Sequence, residues 1–231
     1  MSTIPDICTM FILLTAATTF EIQPAIDFLG KGSSGPRRHE TGLLITGVGS
    51  LATSHSLMRQ IGSRRPDIIL QAGIAGCFKN GHLGEVVAIR EDIPGDLGVW
   101  EEGGFKSLFD LGLSGKDDPP FSNGVLPNPH TALFTLSALP QVRSISVNEI
   151  TTERSRIEWY QQNMAPFVES MEGAALHYTC LKENINFLQI RSVSNDIGVR
   201  DKSKWDIKGA IARLNQHLIS LLQALEQQTE I

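Results

Sequence analysis

Strand-like and helix-like segments alternate along most of the chain, and this alternation limits its fold more than any other feature. Residues 10–16 form a continuous apolar run typical of a buried strand, and residues 20–29 then place apolar side chains at helical spacing. The same pair recurs in residues 41–48 and 51–61. Helices that connect strands in this way pack on both faces of one sheet. The sequence therefore predicts an α/β fold with three layers, α/β/α, around a central mixed, twisted sheet.

The rest of the chain continues the pattern, with one long interruption. Residues 84–92 alternate apolar and polar side chains loosely, which predicts an edge strand, and residues 73–76 predict a glycine turn after the third strand. Residues 94–128 are rich in proline and glycine and predict a surface excursion, a kind of segment that often serves as a lid or binding loop. Further strands are predicted at 67–72, 142–148, 167–168 and 187–193, and further helices at 131–139, 151–163, 171–183 and 206–226.

The predicted helix at 171–183 has an apolar face, and His177 does not lie on it. That face comprises Met171, Ala174, Ala175, Tyr178 and Leu181. We therefore expect His177 to be an exposed or partly buried structural histidine. The six histidines are dispersed, and none has the spacing to a second histidine or a cysteine that a zinc site requires. The sequence predicts neither a metal site nor a cofactor.

Length and composition indicate one globular domain, residues 1–231, with residues 1–8 as a short tail. The net charge of −5 and the absence of a basic cluster argue against a nucleic-acid partner. No segment approaches the roughly 20 apolar residues of a membrane span, so no membrane partner is expected. Cys8, Cys77 and Cys180 lie in or beside apolar runs, without a Cys-x-x-Cys pair. Buried free thiols in a reducing cytoplasm are the expectation.

Polar and glycine residues that could take part in binding or catalysis lie at the ends of predicted strands. They are Glu21, the segment 73–76, Met171 with Glu172, and the segment 194–196. Open α/β sheets bind ligands just beyond the carboxyl ends of their strands, so these groups are expected to converge. A carboxylate in a first helical turn also favours the helix dipole, and that reading competes for Glu21 and Glu172. The glycines fit neither a dinucleotide fingerprint nor a P-loop, and no Gly-x-Ser-x-Gly elbow supports a serine hydrolase.

Two of these stretches resemble a known family. The run Met171-Glu172-Gly173-Ala174-Ala175 is similar to the Met-Glu-x-Ala-Ala signature of the purine nucleoside phosphorylase and nucleosidase superfamily, and 191–195 resembles its Arg-x-x-Ser-Asp/Asn strand end. Residues 47–49 and 72–76 resemble its two glycine turns. The resemblance covers nearly the whole chain, and within the superfamily it is closest to the futalosine hydrolases, ahead of the 5′-methylthioadenosine/S-adenosylhomocysteine nucleosidases.

The resemblance implies hydrolysis of a purine N-glycosidic bond through an oxocarbenium-like transition state. Glu21 would be the general base for water, Glu172 would bind the ribose hydroxyls, and Asn195 would bind the purine. Met171 would form the floor under the sugar and Arg191 would orient the carboxylates or the water. The other expected substrate-binding residues are Ile74, Gly76, Val147 and Asp196.

Three choices stay open at this point. Asn195 favours a 6-oxopurine such as hypoxanthine because an amide both donates and accepts, but Asp196 could be the working acid after a shift of one residue. Gln71 and Ile74 stand where phosphorylases of the superfamily carry phosphate-binding Arg and Ser, which favours water as the nucleophile. The aromatic residues Trp100, Phe105 and Trp205 could line a pocket for the substrate's 5′ tail or could simply cover the core.

The alternatives to a futalosine hydrolase are a nucleosidase for methylthioadenosine or another purine nucleoside, and a non-catalytic nucleoside-binding domain. In each case the expected partner is a small purine nucleoside. The resemblance also implies a homo-oligomer.

Overall fold

A computed structural model describes residues 9–31, 38–101 and 104–228. The predicted tail, residues 1–8, and with it Cys8, lies outside the described residues. The strands are β1 (Phe11–Ala16), β2 (Glu40–Ile45), β3 (Ile68–Cys77), β4 (Val86–Pro94), β5 (Gly98–Glu101), β6 (Gly104–Ser107), β7 (Leu126–Pro127), β8 (Gln141–Ser146), β9 (Val168–Ser170) and β10 (Asn186–Asp196). The helices are α1 (Thr19–Gly30), α2 (Ser50–Ser63), α3 (Thr131–Ser137), α4 (Arg154–Asn163), α5 (Gly173–Glu183) and α6 (Ile207–Leu225).

The central sheet closes on itself, which the sequence did not predict. Its strands follow the order β10-β4-β8-β9-β3, and β3 pairs with β10 again, so these five strands form a ring. Strands β1 and β2 extend the sheet from β3, and β7 pairs with β4. Pairing is parallel for β3 with β1 and β10, and antiparallel for β4 with β10. The sheet is therefore mixed, as predicted, but the edge position predicted for residues 84–92 is wrong, because β4 lies between β10 and β8.

Helices cover the sheet on both sides and bury two apolar layers, which confirms the predicted three-layer arrangement. On one side α1, α3 and α6 pack against β1, β3 and β10, and α6 contributes Leu214, Leu218 and Leu221. On the other side α2 and α5 bury Leu57, Leu176 and Cys180 against the sheet. Each such side chain stabilises the fold by about 1.5–3 kcal/mol when fully buried. No helix in the described parts of the chain is long and apolar enough to cross a membrane.

Two strands run further than predicted and carry functional residues inside the sheet. Strand β3 continues through residues 73–76 to Cys77, so the predicted glycine turn is wrong. Its partner β10 likewise extends to Asp196, with a bulge between Val193 and Asn195. The glycine at 73 serves packing, because a Cβ there would collide with the guanidinium of Arg191 and crowd the carboxylate of Glu21. The strands therefore deliver site residues directly rather than through a loop.

The excursion at 94–128 contains the β5–β6 hairpin and strand β7. Trp100 and Phe105 pack with each other and with Trp159, at ring-centroid distances of 5.4–5.7 Å. These two aromatic residues therefore belong to a local aromatic cluster. Helix α5 also differs from its predicted face, since His177 is fully buried while Tyr178 is 43% exposed.

Candidate active site

One cavity of about 310 Å³ opens at the carboxyl ends of β1, β3, β9 and β10. This is where an α/β sheet binds its ligands. Both carboxylates singled out in the sequence, Glu21 and Glu172, line it. The described lining comprises Ala17, Thr18, Phe20, Glu21, Val48, Ile74, Ala75, Gly76, Ile150, Glu169, Ser170, Met171, Glu172, Ser194, Asn195, Ile197, Arg200 and Trp205.

Glu21 is held in place by the first turn of α1 and by the backbone of β3. Its Oε2 accepts hydrogen bonds from the backbone N–H and the hydroxyl of Thr18, both at 3.0 Å. Its Oε1 accepts from the backbone N–H of Ile74 at 3.1 Å. Glu21 therefore also has a structural role in the first helical turn, because a Glu three residues after a Thr N-cap closes a capping box. The same bonds fix the carboxylate, only 8% exposed, at the cavity wall.

Glu172 lies at the N-cap position of α5 and is held by one backbone hydrogen bond and one ion pair. Its Oε1 accepts from the backbone N–H of Gly49 at 3.1 Å, and its Oε2 lies 3.4 Å from Nη2 of Arg191. Gly49 offers that N–H from a turn in which its φ is +90°, a value that favours glycine. Arg191 is 1% exposed, so the ion pair is shielded from water on the protein side. A carboxylate held so rigidly can stabilise a cation without reorganising.

A buried polar network behind Glu172 holds Arg191. Its Nη2 donates to Oε1 of Gln71 at 2.9 Å. When the Gln189 amide is assigned so that its oxygen faces donors and its nitrogen faces acceptors, Nε of Arg191 donates to the Gln189 oxygen at 3.2 Å. The Gln189 nitrogen in turn donates to Nε2 of His177 at 2.9 Å and to Asp92 at 3.3 Å. His177 donates from Nδ1 to the carbonyl of Leu126 at 2.8 Å and is neutral, since burial lowers its pKa to about 4. His177 is thus structural.

Asp92, also in this network, has a strongly altered acidity. The carboxyl group is fully buried, and this desolvation raises its pKa to about 6, although Ser146 donates to it at 2.8 Å. A raised pKa means that the folded state favours the protonated acid. The stability that Asp92 contributes is therefore fully present below its ordinary pKa near 3.8 and is lost as the pH rises through about 6.

Replacing Asp92 by Asn removes this titration and should change how stability depends on pH. We expect the unfolding free energy of Asp92→Asn minus that of the wild type to be larger by about 2 kcal/mol at pH 7.5 than at pH 4.5, because only the wild type loses this stability as the pH rises. Urea unfolding at the two pH values measures this. Asp110→Asn is a control whose difference from the wild type should hardly vary between the two pH values, because hydrogen bonds from Ser107 lower the pKa of Asp110 and both pH values lie above its titration. A difference that does not vary with pH would show that Asp92 titrates normally.

The opposite wall of the cavity presents Asn195 with a defined amide orientation. The hydroxyl of Ser194 lies 2.9 Å from Oδ1 of Asn195, and Nδ2 of Asn195 donates to the carbonyl of Asp196 at 3.2 Å. Gly76 on β3 lies beside Asn195 in the strand register, and a Cβ at Gly76 would clash with Ile197. The missing side chain lets Ile197 pack closely against the backbone of β3 beside Asn195.

The predicted site residues divide between the cavity wall and its surroundings. Those in the described lining are Glu21, Glu172, Asn195, Met171, Ile74 and Gly76. Arg191 lies behind Glu172 rather than in the wall. Val147 is 1% exposed and packs in an apolar cluster with Ile145 and Tyr160, so its prediction as a lining residue is not met. The carboxyl of Asp196 is likewise outside the described lining, since the bulge in β10 directs Asn195 to the cavity instead.

Several lining residues escaped the sequence analysis. Glu169 on β9 is 6% exposed, its Oε1 accepts from the backbone N–H of Thr151 at 3.1 Å, and burial raises its pKa. The sequence carried a signal for it, since it stands two residues before Met171. Arg200 also escaped the sequence analysis; its guanidinium lies 5.5 Å from the ring of Trp205, and both residues line the cavity. Of the three aromatic residues considered for the tail pocket, Trp205 is the one in the described lining. No described residue of the 94–128 excursion lines the cavity, and the binding-loop prediction for that segment is therefore not supported.

Known proteins resemble this chain in sequence and in fold. No family model matches the chain. A curated futalosine hydrolase from Acidothermus cellulolyticus is 29% identical over 200 residues, which cover 84% of this chain and 80% of that protein. The futalosine hydrolase of Thermus thermophilus is 29% identical over 184 residues, covering 78% and 80%. The chain is thus similar in sequence to futalosine hydrolases over about four fifths of its length.

Solved structures of a futalosine hydrolase and of another nucleosidase share the fold at low sequence identity. A futalosine hydrolase mutant from Helicobacter pylori superposes with a TM-score of 0.77 at 16% identity, covering 93% of this chain and 99% of that one. A 5′-methylthioadenosine/S-adenosylhomocysteine nucleosidase from Colwellia psychrerythraea, solved with adenine, gives 0.78 at 16% identity, covering 97% and 98%. The nucleosidase fold thus extends over nearly all of the chain.

Proposed function

We propose that the protein is a futalosine hydrolase, which cleaves the N-glycosidic bond of futalosine to give hypoxanthine and dehypoxanthine futalosine in menaquinone biosynthesis. The observation that carries this proposal is the meeting of Glu21, Glu172 and Asn195 in one cavity of a nucleosidase fold. The curated relatives are futalosine hydrolases, and this chain matches about four fifths of their length. The reaction is therefore hydrolysis of a purine nucleoside.

The arrangement of charges fits an oxocarbenium-like transition state. Glu172 accepts hydrogen bonds from the ribose hydroxyls and stabilises the developing cation, while Arg191 holds its carboxylate in place. Glu21 takes the proton of the attacking water as general base. Met171 packs against the sugar as a soft apolar floor. Asn195 binds the departing base.

Water rather than phosphate is the nucleophile because the phosphate ligands of the phosphorylases have no counterpart here. Gln71 is 2% exposed and accepts a hydrogen bond from Arg191, so it does not reach the cavity. Ile74 lines the wall with an apolar side chain. Among the described lining residues, Arg200 is the single cation, and it stands beside Trp205.

The mouth of the cavity offers a place for the aromatic carboxylate tail of futalosine. Phe20, Ile150 and Trp205 supply an apolar wall, and Arg200 supplies a positive charge. A guanidinium binds a carboxylate through two parallel hydrogen bonds. We assign the tail to this end of the cavity.

A direct assay tests the proposed function. The protein is incubated with futalosine, methylthioadenosine and inosine, with and without phosphate, and release of the base is followed. We expect release from futalosine, at a rate independent of phosphate, and much slower release from inosine, which lacks the tail. Phosphate dependence would show a phosphorylase, preference for methylthioadenosine would show the other nucleosidase activity, and no release would favour a binding domain.

Replacing Asn195 by Asp should change the preferred base. The charged carboxylate repels the six-position oxygen of hypoxanthine and can no longer donate to the base, whereas a protonated acid suits adenine. We expect kcat/KM for futalosine to fall by about 10- to 100-fold relative to methylthioadenosine. Steady-state kinetics on both substrates measure this. Asp196→Asn is the matched control and should leave the preference unchanged; the reverse pattern would make Asp196 the residue that binds the base.

The oligomeric state and the cellular compartment of the protein are also part of the proposal. Phe20, Val48 and Leu51 expose 57–87% of their side chains beside the cavity mouth, and such apolar patches mark interfaces. We infer a homo-oligomer in which a second copy covers this patch, and sedimentation velocity would detect it. Cys77 and Cys180 are buried free thiols, which fits a reducing cytoplasm.

A further inference from the structure

Asn215 is a polar residue in the middle of the apolar face of α6. It is 1% exposed and stands one turn after Ile211, beside Leu214 and Leu218, which belong to the core. A buried carboxamide is costly unless its donors and acceptor are all used. The three hydrogen bonds of Asn215 therefore indicate what it is for.

Helix α1 is irregular just after Glu21. Ile22 has φ −122° and ψ 15°, outside the helical range, and Pro24 within the helix has no N–H to donate. In a regular helix the N–H of Ala25 would donate to the carbonyl of Glu21. The irregularity falls within this turn, whose Ile22 and Ala25 are fully buried while Gln23 and Pro24 are exposed, and α1 packs against α6.

The side chain of Asn215 bonds both groups of that turn. Its Oδ1 accepts from the backbone N–H of Ala25 at 3.0 Å, and its Nδ2 donates to the backbone carbonyl of Glu21 at 2.8 Å. The second hydrogen of Nδ2 goes to the carbonyl of Ile211 at 2.8 Å, within α6 itself. Each bond uses a different lone pair or hydrogen, so the amide has one orientation that satisfies it.

The geometry points to Asn215 as a positioning residue for the general base Glu21. The carboxylate of Glu21 is fixed by Thr18 and Ile74, and its main chain is fixed by Asn215 from the other side. Because both the carboxylate and the main chain of Glu21 are fixed, the carboxylate keeps the distance to the attacking water that proton transfer requires. This inference rests on the proposed function, since Glu21 must act in the reaction for its position to matter.

Asn215→Ala is the direct test. We expect kcat on futalosine to fall by about 10- to 100-fold, because a displacement near 1 Å has effects of this size, while KM changes less than about threefold. The matched control is Asn128→Ala. Asn128 is also buried and joins two backbone groups, the carbonyl of Phe187 at 2.8 Å and the N–H of His130 at 2.9 Å, but at the far end of β10. It should lose stability without losing kcat.

A double variant separates positioning from a general loss of structure. In a Glu21→Gln background there is no base left to position, so adding Asn215→Ala should lower kcat no further. If Asn215→Ala does not fold, Asn215→Asp takes its place, since it keeps an acceptor for Ala25 but lacks the donor to Glu21. An unchanged kcat in the folded variant, an equal loss in Asn128→Ala, or additive losses in the double variant would overturn the inference.

Failure of the proposed function would look different from failure of this inference. If the wild type releases no base from any nucleoside, the function is wrong, and crystal structures then decide the role of Asn215. A shift of the Glu21 carboxylate by about 1 Å in Asn215→Ala, and not in Asn128→Ala, supports it. An unmoved carboxylate refutes it.

Discussion

Glu21→Gln is expected to lower kcat for futalosine by about 10²- to 10⁴-fold, since glutamine cannot take a proton from water. The fold should survive, because Gln also closes a capping box with Thr18. One of the three hydrogen bonds to the carboxylate is lost, which costs about 1 kcal/mol of stability. Single-turnover kinetics and urea unfolding measure the two effects separately.

Product binding provides the control for Glu21→Gln. Hypoxanthine contacts the Asn195 side of the proposed site, so its affinity by calorimetry should stay within about threefold of the wild type. Full activity in Glu21→Gln would remove Glu21 from the reaction and leave it with the capping role alone.

Glu172→Gln is the second large effect that we expect. The neutral amide no longer stabilises the ribosyl cation, so kcat should fall by about 10²- to 10³-fold. Arg191, 1% exposed, also loses its paired carboxylate and keeps the amide oxygens of Gln71 and Gln189 as acceptors. Leaving a buried donor without its partner is costly, and we expect the unfolding free energy to drop by about 1–3 kcal/mol.

Glu91→Gln is the matched control for Glu172→Gln. Glu91 is 14% exposed in its side chain and pairs with Arg143 at 2.6 Å, so it also loses an ion pair, but outside the cavity. Its replacement should affect stability and leave kcat unchanged. Equal kinetic losses in the two variants would mean that Glu172 acts through stability alone.

Periodicity sufficed to predict most elements of the fold and failed where distant contacts decide. The leucines of α6 gave its extent within two residues, since a single buried face repeats at helical spacing. Helix α5 is buried on several sides, so its apolar face was misread and His177 was expected near the surface. The closure of the sheet depends on the pairing of β3 with β10, more than 110 residues apart, which no local pattern carries.

The site was predicted from residues with recognisable chemistry in known motifs. Glu21, Glu172 and Asn195 were found this way and line one cavity. Asn215, Gln189 and Asp92 were not found, because a polar residue within an apolar strand or helix shows its role only through its partners. Val147 came from the resemblance alone, and here its side chain is needed for the core around Tyr160.

The hydrogen bond between Gln71 and Arg191 bears on how such an enzyme could change its nucleophile. Introducing arginine at position 71, as in the phosphorylases, would press a second guanidinium against the first in a place that water does not reach. The repulsion would disturb the very carboxylate that Arg191 steadies. A change of nucleophile from water to phosphate would therefore require further substitutions around Arg191, and replacement of Gln71 alone would not be sufficient.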